Sequence, residues 1–262
     1  MASPYFNPSY NDFETFKRDC DKLKEFYKLF AARFTGGEAL LHPDIVKFIT
    51  YPKEIGLAEK NCVITNGISL LSAKDDFWEA VDYIHLSVYD HTGINYQKIY
   101  DHIKKKQQTY PHVEVLEVTD PEVIKRLAGY KADVESKGAE VNLSYGTFKK
   151  LYSTEIKSDE EAQEIYNKCW MKESTFAVHE GKFYKCPISL IKSKIYKQEK
   201  LDMPFDFDSD AVDLFANDAH IRLDSLLESN NFLNACKTCN GYNTAIDEPQ
   251  SQLKIIDIKD II

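Results

Sequence analysis

Four cysteines in the last third of the chain carry the clearest chemical potential. Cys169, Cys186, Cys236 and Cys239 are spaced C-x16-C-x49-C-x2-C. Thiolates bind soft and borderline metals, and a C-x2-C pair can chelate one centre because its sulfurs converge across a tight turn. Cys186 closes a hairpin-like stretch and Cys169 precedes it, a geometry that can bring two more thiolates together. Four thiolates suit either zinc or a [4Fe–4S] cluster. The plain alternative is four unrelated buried cysteines. Cys20 and Cys62 lie inside apolar patterns far from the rest and read as core.

A second candidate is Gly36-Gly37-Glu38, which follows a short apolar run and precedes a helix. Two glycines let a ligand approach the backbone closely. A carboxylate beside them can accept hydrogen bonds from an ammonium group. The plain alternative is a tight loop with a solvent-facing Glu. The histidines show no metal spacing: His42 belongs to the same loop, and His85 lies on a strand as a core or lining group. The chain contains no P-loop, no G-x-S-x-G and no HExxH.

Composition narrows the classes. The chain has 262 residues, 33 Lys+Arg against 42 Asp+Glu and a net charge of −9. Only four of the cations are arginines, Arg18, Arg33, Arg126 and Arg222. Such a chain lacks the concentrated basic surface that nucleic acid requires. No apolar run reaches about 18 residues, so no membrane span is expected. The N-terminus, Met1 to Pro8, has no basic start followed by an apolar stretch, so no secretory signal is read there. The expected compartment is the cytoplasm, where grouped cysteines more often bind metal than form disulfides.

The elements that must position these residues alternate. Residues 11 to 30 carry an apolar stripe (Phe13, Phe16, Cys20, Leu23, Phe30) that predicts a helix, with Asn11 and Glu14 as a capping box. Strands are predicted near 31–35, 61–65, 83–89, 113–118 and 140–144, separated by helical segments near 43–49, 75–81, 95–106 and 121–130. This rhythm implies a parallel sheet with crossover helices, and ligand chemistry at the C-terminal strand ends. After about residue 150 the rhythm changes. Thr175–Val178 and Lys182–Lys185 flank Glu180-Gly181 as a hairpin. Phe205 to Asp213 reads as loop into helix, and Ile221 to Leu227 as helix. The expected division is 1–150 and 151–262.

The stretch Phe34-Thr-Gly-Gly-Glu-Ala-Leu-Leu-His-Pro-Asp44 resembles the GGE-P-L-L-H-P-D segment of radical S-adenosylmethionine (radical SAM) enzymes, with Ala39 where that family usually has Pro. Thr65-Asn66-Gly67 is similar to the T-N-G that follows it, and His85–Tyr89 to the family's fourth strand. The resemblance covers roughly residues 3 to 145. It implies an α/β fold, a partial (βα) barrel that lacks its first strand. It also implies that Gly36, Gly37 and Glu38 bind the amino group of S-adenosylmethionine (SAM). Thr65, Asn66 and Ser87 match positions that bind its carboxylate or ribose. The run from Cys169 to Pro187 resembles the C-terminal auxiliary-cluster module of the SPASM or shorter twitch kind. That implies a small Cys-rich α+β module with a [4Fe–4S] cluster on Cys169, Cys186, Cys236 and Cys239, and zinc as the second candidate.

The activity implied is reductive cleavage of SAM to a 5′-deoxyadenosyl radical that modifies a peptide, sugar or small metabolite. The electron donor implied is a flavodoxin or ferredoxin. One departure bears on it directly. The 262 residues hold no C-x3-C-x2-C, the motif that anchors the SAM-cleaving cluster. Ser3-Pro4-Tyr5-Phe6 resembles the segment that follows the third cysteine of that motif, so the expectation is a chain beginning just after it. A radical SAM cluster is then expected only if such a motif lies upstream. The alternative expectation is a metal-binding protein that does not cleave SAM.

Overall fold

A computed structural model describes residues 10–87, 94–117, 147–149, 155–169, 171–200, 203–241 and 247–249. The predicted helix at 121–130 and strand at 140–144 lie outside them. Contacts divide the chain into two compact units. One comprises Tyr27–Phe148 and Pro249–Gln252; the other comprises Met1–Phe26, Lys149–Glu248 and Leu253–Ile262. Among the described residues, no helix is long and apolar enough to cross a membrane.

The first unit is built on a four-stranded parallel sheet in the order β1 (Leu29–Phe34), β2 (Ala58–Thr65), β3 (Tyr83–Leu86), β4 (Glu114–Glu117). Each step is a β–α–β crossover through α2 (Ile45–Glu54), α3 (Asp75–Ala80) or α4 (Tyr96–Thr109). Strand alternation puts Phe34, Val63, Ile84, Leu86 and Val115 on the face that packs with Ile49 of α2, Phe77 and Trp78 of α3, and Ile99 and Ile103 of α4. Trp78, Val63 and Ile84 are fully buried there, each contributing about 1.5–3 kcal/mol of hydrophobic stabilisation. The register pairs Arg33 with Cys62 and Ile64 with His85, so the opposite face carries Arg33, Cys62 and His85. Beneath the sheet, buried Asn61 donates to Ile49 O and Ala80 O, and exchanges backbone–side-chain bonds with Asp82.

The second unit includes α1 (Phe13–Leu23), α5 (Asp159–Lys168), α6 (Pro187–Glu199) and α7 (Ala219–Glu228). Its small antiparallel sheet orders β5 (Ala177–His179), β6 (Lys182–Tyr184) and β7 (Ala211–Asp213). Glu180 and Gly181 both have positive φ, 48° and 79°, the pair that a two-residue hairpin turn of the right twist requires. A side chain at Gly181 would also press on the Phe215 ring. The Gly181 N–H donates to the buried carboxylate of Asp19 on α1 at 2.9 Å. This bond is one reason the first helix belongs with the C-terminal residues rather than with those up to 150.

Three local expectations change. The first helix ends at Leu23, and Leu29 and Phe30 enter β1, because pairing with β2 satisfies their backbone. Its cap is Asp12, which accepts from the Thr15 N–H at 2.7 Å, not Asn11 with Glu14. Residues 211–213 form a strand rather than a helix, since β6 offers them an antiparallel partner.

Candidate functional site

At the C-terminal edge of the parallel sheet three loops meet residues that the sequence singled out separately. Gly36, Gly37 and Glu38 follow β1; Thr65 ends β2 and Asn66 follows it; Ser87 follows β3. Glu38 is not solvent-facing in the plain sense. Its carboxylate accepts from Thr65 Oγ1 at 2.7 Å, from Asn66 N at 3.0 Å and from Leu40 N at 3.2 Å. Thr65 Oγ1 in turn accepts from Gly67 N at 3.0 Å, and Asn66 Oδ1 from Ile68 N at 3.0 Å. Gly67 has φ 87°, and a Cβ there would stand 2.6 Å from Leu86 Cδ1, so this turn requires glycine. At Gly36 a Cβ would meet nothing within 4 Å. The chain's own packing therefore does not demand glycine at that position.

Ser87 sits beside this knot. Its N–H donates to Thr65 O at 2.8 Å, and its carbonyl accepts from Tyr96 Oη at 3.3 Å. Its hydroxyl is buried and finds no hydrogen-bond partner among the described residues. A buried hydroxyl without a partner costs about 1–3 kcal/mol, so a ligand or water there would have a place to bond. Two residues before it, His85 is neutral. Burial lowers its pKa to about 4, and the Arg33 guanidinium acts in the same direction.

The cysteine quartet lies in the other unit. Cys169 is the C-cap of α5 and Cys186 the N-cap of α6. Cys236 lies in a 3-10 turn, Asn234–Thr238, and Cys239 follows that turn. Gly241, with φ 74°, turns its N–H onto Cys239 Sγ at 3.3 Å. Backbone N–H groups of Ile188 and Ser189 likewise favour the thiolate of Cys186. Burial nonetheless dominates: it pushes Cys186 up to about 12, and raises Cys236 and Cys239 as well. The sulfurs also feel one another. Cys239 and Cys169 raise Cys186, Cys186 and Cys239 raise Cys236, and Cys169 raises Cys239. The four are thus within electrostatic reach. Among the described residues, however, no group of three or more His, Cys, Asp or Glu side chains is drawn close enough to hold a metal ion. Convergence on one metal-sized site, as the spacing suggests, is therefore not found among the described residues.

Two buried charges that the sequence did not single out tie this region together. The Asp210 carboxylate accepts from Ser189 Oγ at 2.9 Å on α6, and from Asn234 N and Ala235 N at 2.7 and 2.9 Å in the turn of Cys236. Lys192 of α6 donates to Ala235 O at 3.1 Å and to Thr238 Oγ1. Burial brings Lys192 down to about 8, while Cys239, Cys236 and Cys186 act to keep it charged. One signal could have found it: Ile188, Lys192 and Ile195 lie at i, i+4, i+7 on the buried stripe of α6.

The fold and these sites define a mixed α/β protein with a parallel sheet bearing clustered loop polar groups, and a separate unit that carries four cysteines, Cys239 buried and the others partly exposed, together with buried charged groups. No protein-family model matches this chain, and no curated protein does.

Proposed function

We propose that this is a radical SAM-type protein that binds SAM at the C-terminal edge of its parallel sheet and a metal centre on its cysteine quartet. The observation that carries the reading is the meeting of Glu38 with Thr65 and Asn66 across 27 and 28 residues of sequence, beside the unpartnered Ser87 hydroxyl. Ligand sites of parallel α/β sheets gather at this edge. Because the Glu38 oxygens already serve the chain, the ammonium of SAM would meet the Gly36–Glu38 backbone carbonyls, and Glu38 would hold that loop in place. Ser87 would donate to a carboxylate or ribose oxygen.

The second unit supplies the thiol donors that a metal would use, three of them with backbone hydrogen bonds that favour the thiolate, although no three His, Cys, Asp or Glu side chains among the described residues are close enough to hold an ion. Cys169, Cys186, Cys236 and Cys239 would hold a [4Fe–4S] cluster, with zinc as the second candidate. When bound, a cluster would supply electron acceptance or substrate positioning. A radical enzyme would further need a SAM-cleaving cluster, an electron donor of the flavodoxin or ferredoxin kind and a peptide, sugar or small-metabolite substrate. The 262 residues contain no C-x3-C-x2-C for that cluster. This absence favours a second reading for the chain as given: a metal-binding protein that does not cleave SAM.

Anaerobic reconstitution with iron and sulfide, followed by iron and sulfide assay and SAM titration by calorimetry, tests both. The expected result is one cluster per chain, lost when Cys236 and Cys239 are replaced by Ser, together with weak SAM binding and no 5′-deoxyadenosine. A chain that takes up neither iron nor zinc overturns the metal centre. Absence of SAM binding overturns the sheet-edge site. Formation of 5′-deoxyadenosine by these 262 residues overturns the second reading.

A further inference from the structure

We propose that His179 is a pH-sensitive latch that ties the β5–β6 hairpin to helix α6 while its ring is neutral and releases that tie when the ring is protonated. One atom, Nε2, carries the argument. It lies 2.9 Å from Nζ of Lys194 on α6 and 3.3 Å from Oε1 of Glu180 in the hairpin turn. An ammonium has donors and no acceptor, so Nε2 presents its lone pair to Lys194 and the ring proton sits on Nδ1. An ionised carboxylate has acceptors and no donor, so Glu180 gains a hydrogen bond from Nε2 only when Nε2 carries a proton. The two neighbours therefore demand opposite states of the same nitrogen. The turn itself does not call for a glutamate. Glu180 has φ 48°, a left-handed conformation that Asn or Gly adopts more readily before Gly181.

The charges that face the ring come from several elements. Lys194 lies on α6, Glu180 in the turn and Asp19 on α1, where Arg18 bonds it. On β6 the register partner of His179 is Lys182, whose ammonium bonds Asp208. Burial holds His179 below the usual histidine range and Lys194 acts in the same direction, while Glu180 and Asp19 oppose them. The tie is therefore complete above about pH 6.5, the ordinary histidine value, and is lost as pH falls through the lower folded value. Protonation sets an imidazolium against an ammonium, and the Nε2–H turns to Glu180, a bond internal to the hairpin. The Gly181 N–H keeps its bond to Asp19 in both states. The hairpin thus stays on α1 and loosens from α6.

The full chain with isotope-labelled histidine is followed by NMR from pH 8 to pH 5, with His179→Gln to assign the ring signals. Amide exchange gives protection factors across Val178, His179, Glu180 and Lys182. The expected ring at pH 8 is the Nδ1–H tautomer, and it should titrate below about pH 6.5. Lys194→Met is expected to raise the titration point by about one pH unit, and Lys194→Arg to move it far less. Glu180→Gln is expected to lower it. Hairpin protection should fall as His179 takes up its proton, and should not follow pH in His179→Gln. Should that variant not fold, the exposed Glu180→Gln serves instead: its protection midpoint must move with its titration point. An Nε2–H ring at pH 8 overturns the proposal. So does a titration point unmoved by Lys194→Met, or hairpin protection that stays level through the titration of His179.

Discussion

The two units hold themselves together by different means. In the sheet unit the interior is mainly apolar: Trp78, Val63, Leu70, Ile84 and Ile99 are buried between sheet and helices, with the buried Asn61 of β2 bonded to Asp82, and the Glu38–Thr65 knot sits at the strand end. In the cysteine unit the ionised groups are inside. Lys185 is buried and caps α7 through three carbonyls, those of Leu226, Leu227 and Ser229. Asp210 and Lys192 join α6 to the turn of Cys236. An apolar core tolerates a missing polar contact at its rim. A core built on charges does not, because each deletion leaves partners buried and unpaired.

The sharpest way to break this contrast is Asp210→Ala. It strands the Ser189 hydroxyl and two backbone N–H groups, and should destabilise the cysteine unit by about 3–5 kcal/mol. Hydrogen exchange resolved by region should show the loss in α6 and the Asn234–Thr238 turn while the parallel sheet keeps its protection. Equal loss in both units would mean that they unfold as one.

Acid should separate the units next. His85 has its folded pKa depressed to about 4 from an ordinary 6.5. Between these values the unfolded chain takes up the proton first, so its stabilisation is complete above about pH 6.5 and is lost as pH falls towards 4. The full effect is on the order of 3 kcal/mol, and His85→Gln should flatten that part of the stability–pH curve. In the cysteine unit, burial would raise the Asp208 carboxyl, but hydrogen bonds from Lys182, Lys197 and Ser193 outweigh it and hold it well below the usual range. Its contribution is present above an ordinary carboxyl pKa, near 4, and is lost only at lower pH. Urea midpoints measured from pH 7 to pH 3, with regional exchange, check the order.

Gly67→Ala is smaller. It forces a side chain into a left-handed conformation and against Leu86, at a cost of about 2 kcal/mol. The loss should be confined to the sheet unit and read as a lower denaturant midpoint. Glu38→Gln should cost least, about 1 kcal/mol, since the amide keeps one acceptor and meets the Asn66 N–H with the wrong group. A larger effect on SAM binding than on stability would sharpen its assignment as the group that holds the Gly36–Glu38 loop.

Much of the sheet was legible because buried parallel strands leave a plain trace: NCVIT at 61–65 and YIHL at 83–86 are short apolar runs between helix-sized segments. The hairpin was legible because Glu180-Gly181 must adopt positive φ at both positions, and little else fits there. The end of the first helix was not, because the stripe through Phe30 is consistent with helix and only the neighbouring strand decides otherwise. At the sheet edge the residue types could be named one by one. That Glu38 spends its carboxylate on Thr65 and Asn66 required their loops to be brought together.

By itself the sequence determined the alternation of strand and helix, the turn residues, and which thiols and loop groups could do chemistry, since these depend on residue type and short spacing. Only the tertiary structure decided that Lys192 and Asp210 are buried beside the cysteines, that Ser87 is left without a partner among the described residues, and that His85 stays neutral. The physical reason is that charge and hydrogen-bonding power change with burial. Burial is set by contacts between residues far apart in the chain, which no local pattern records.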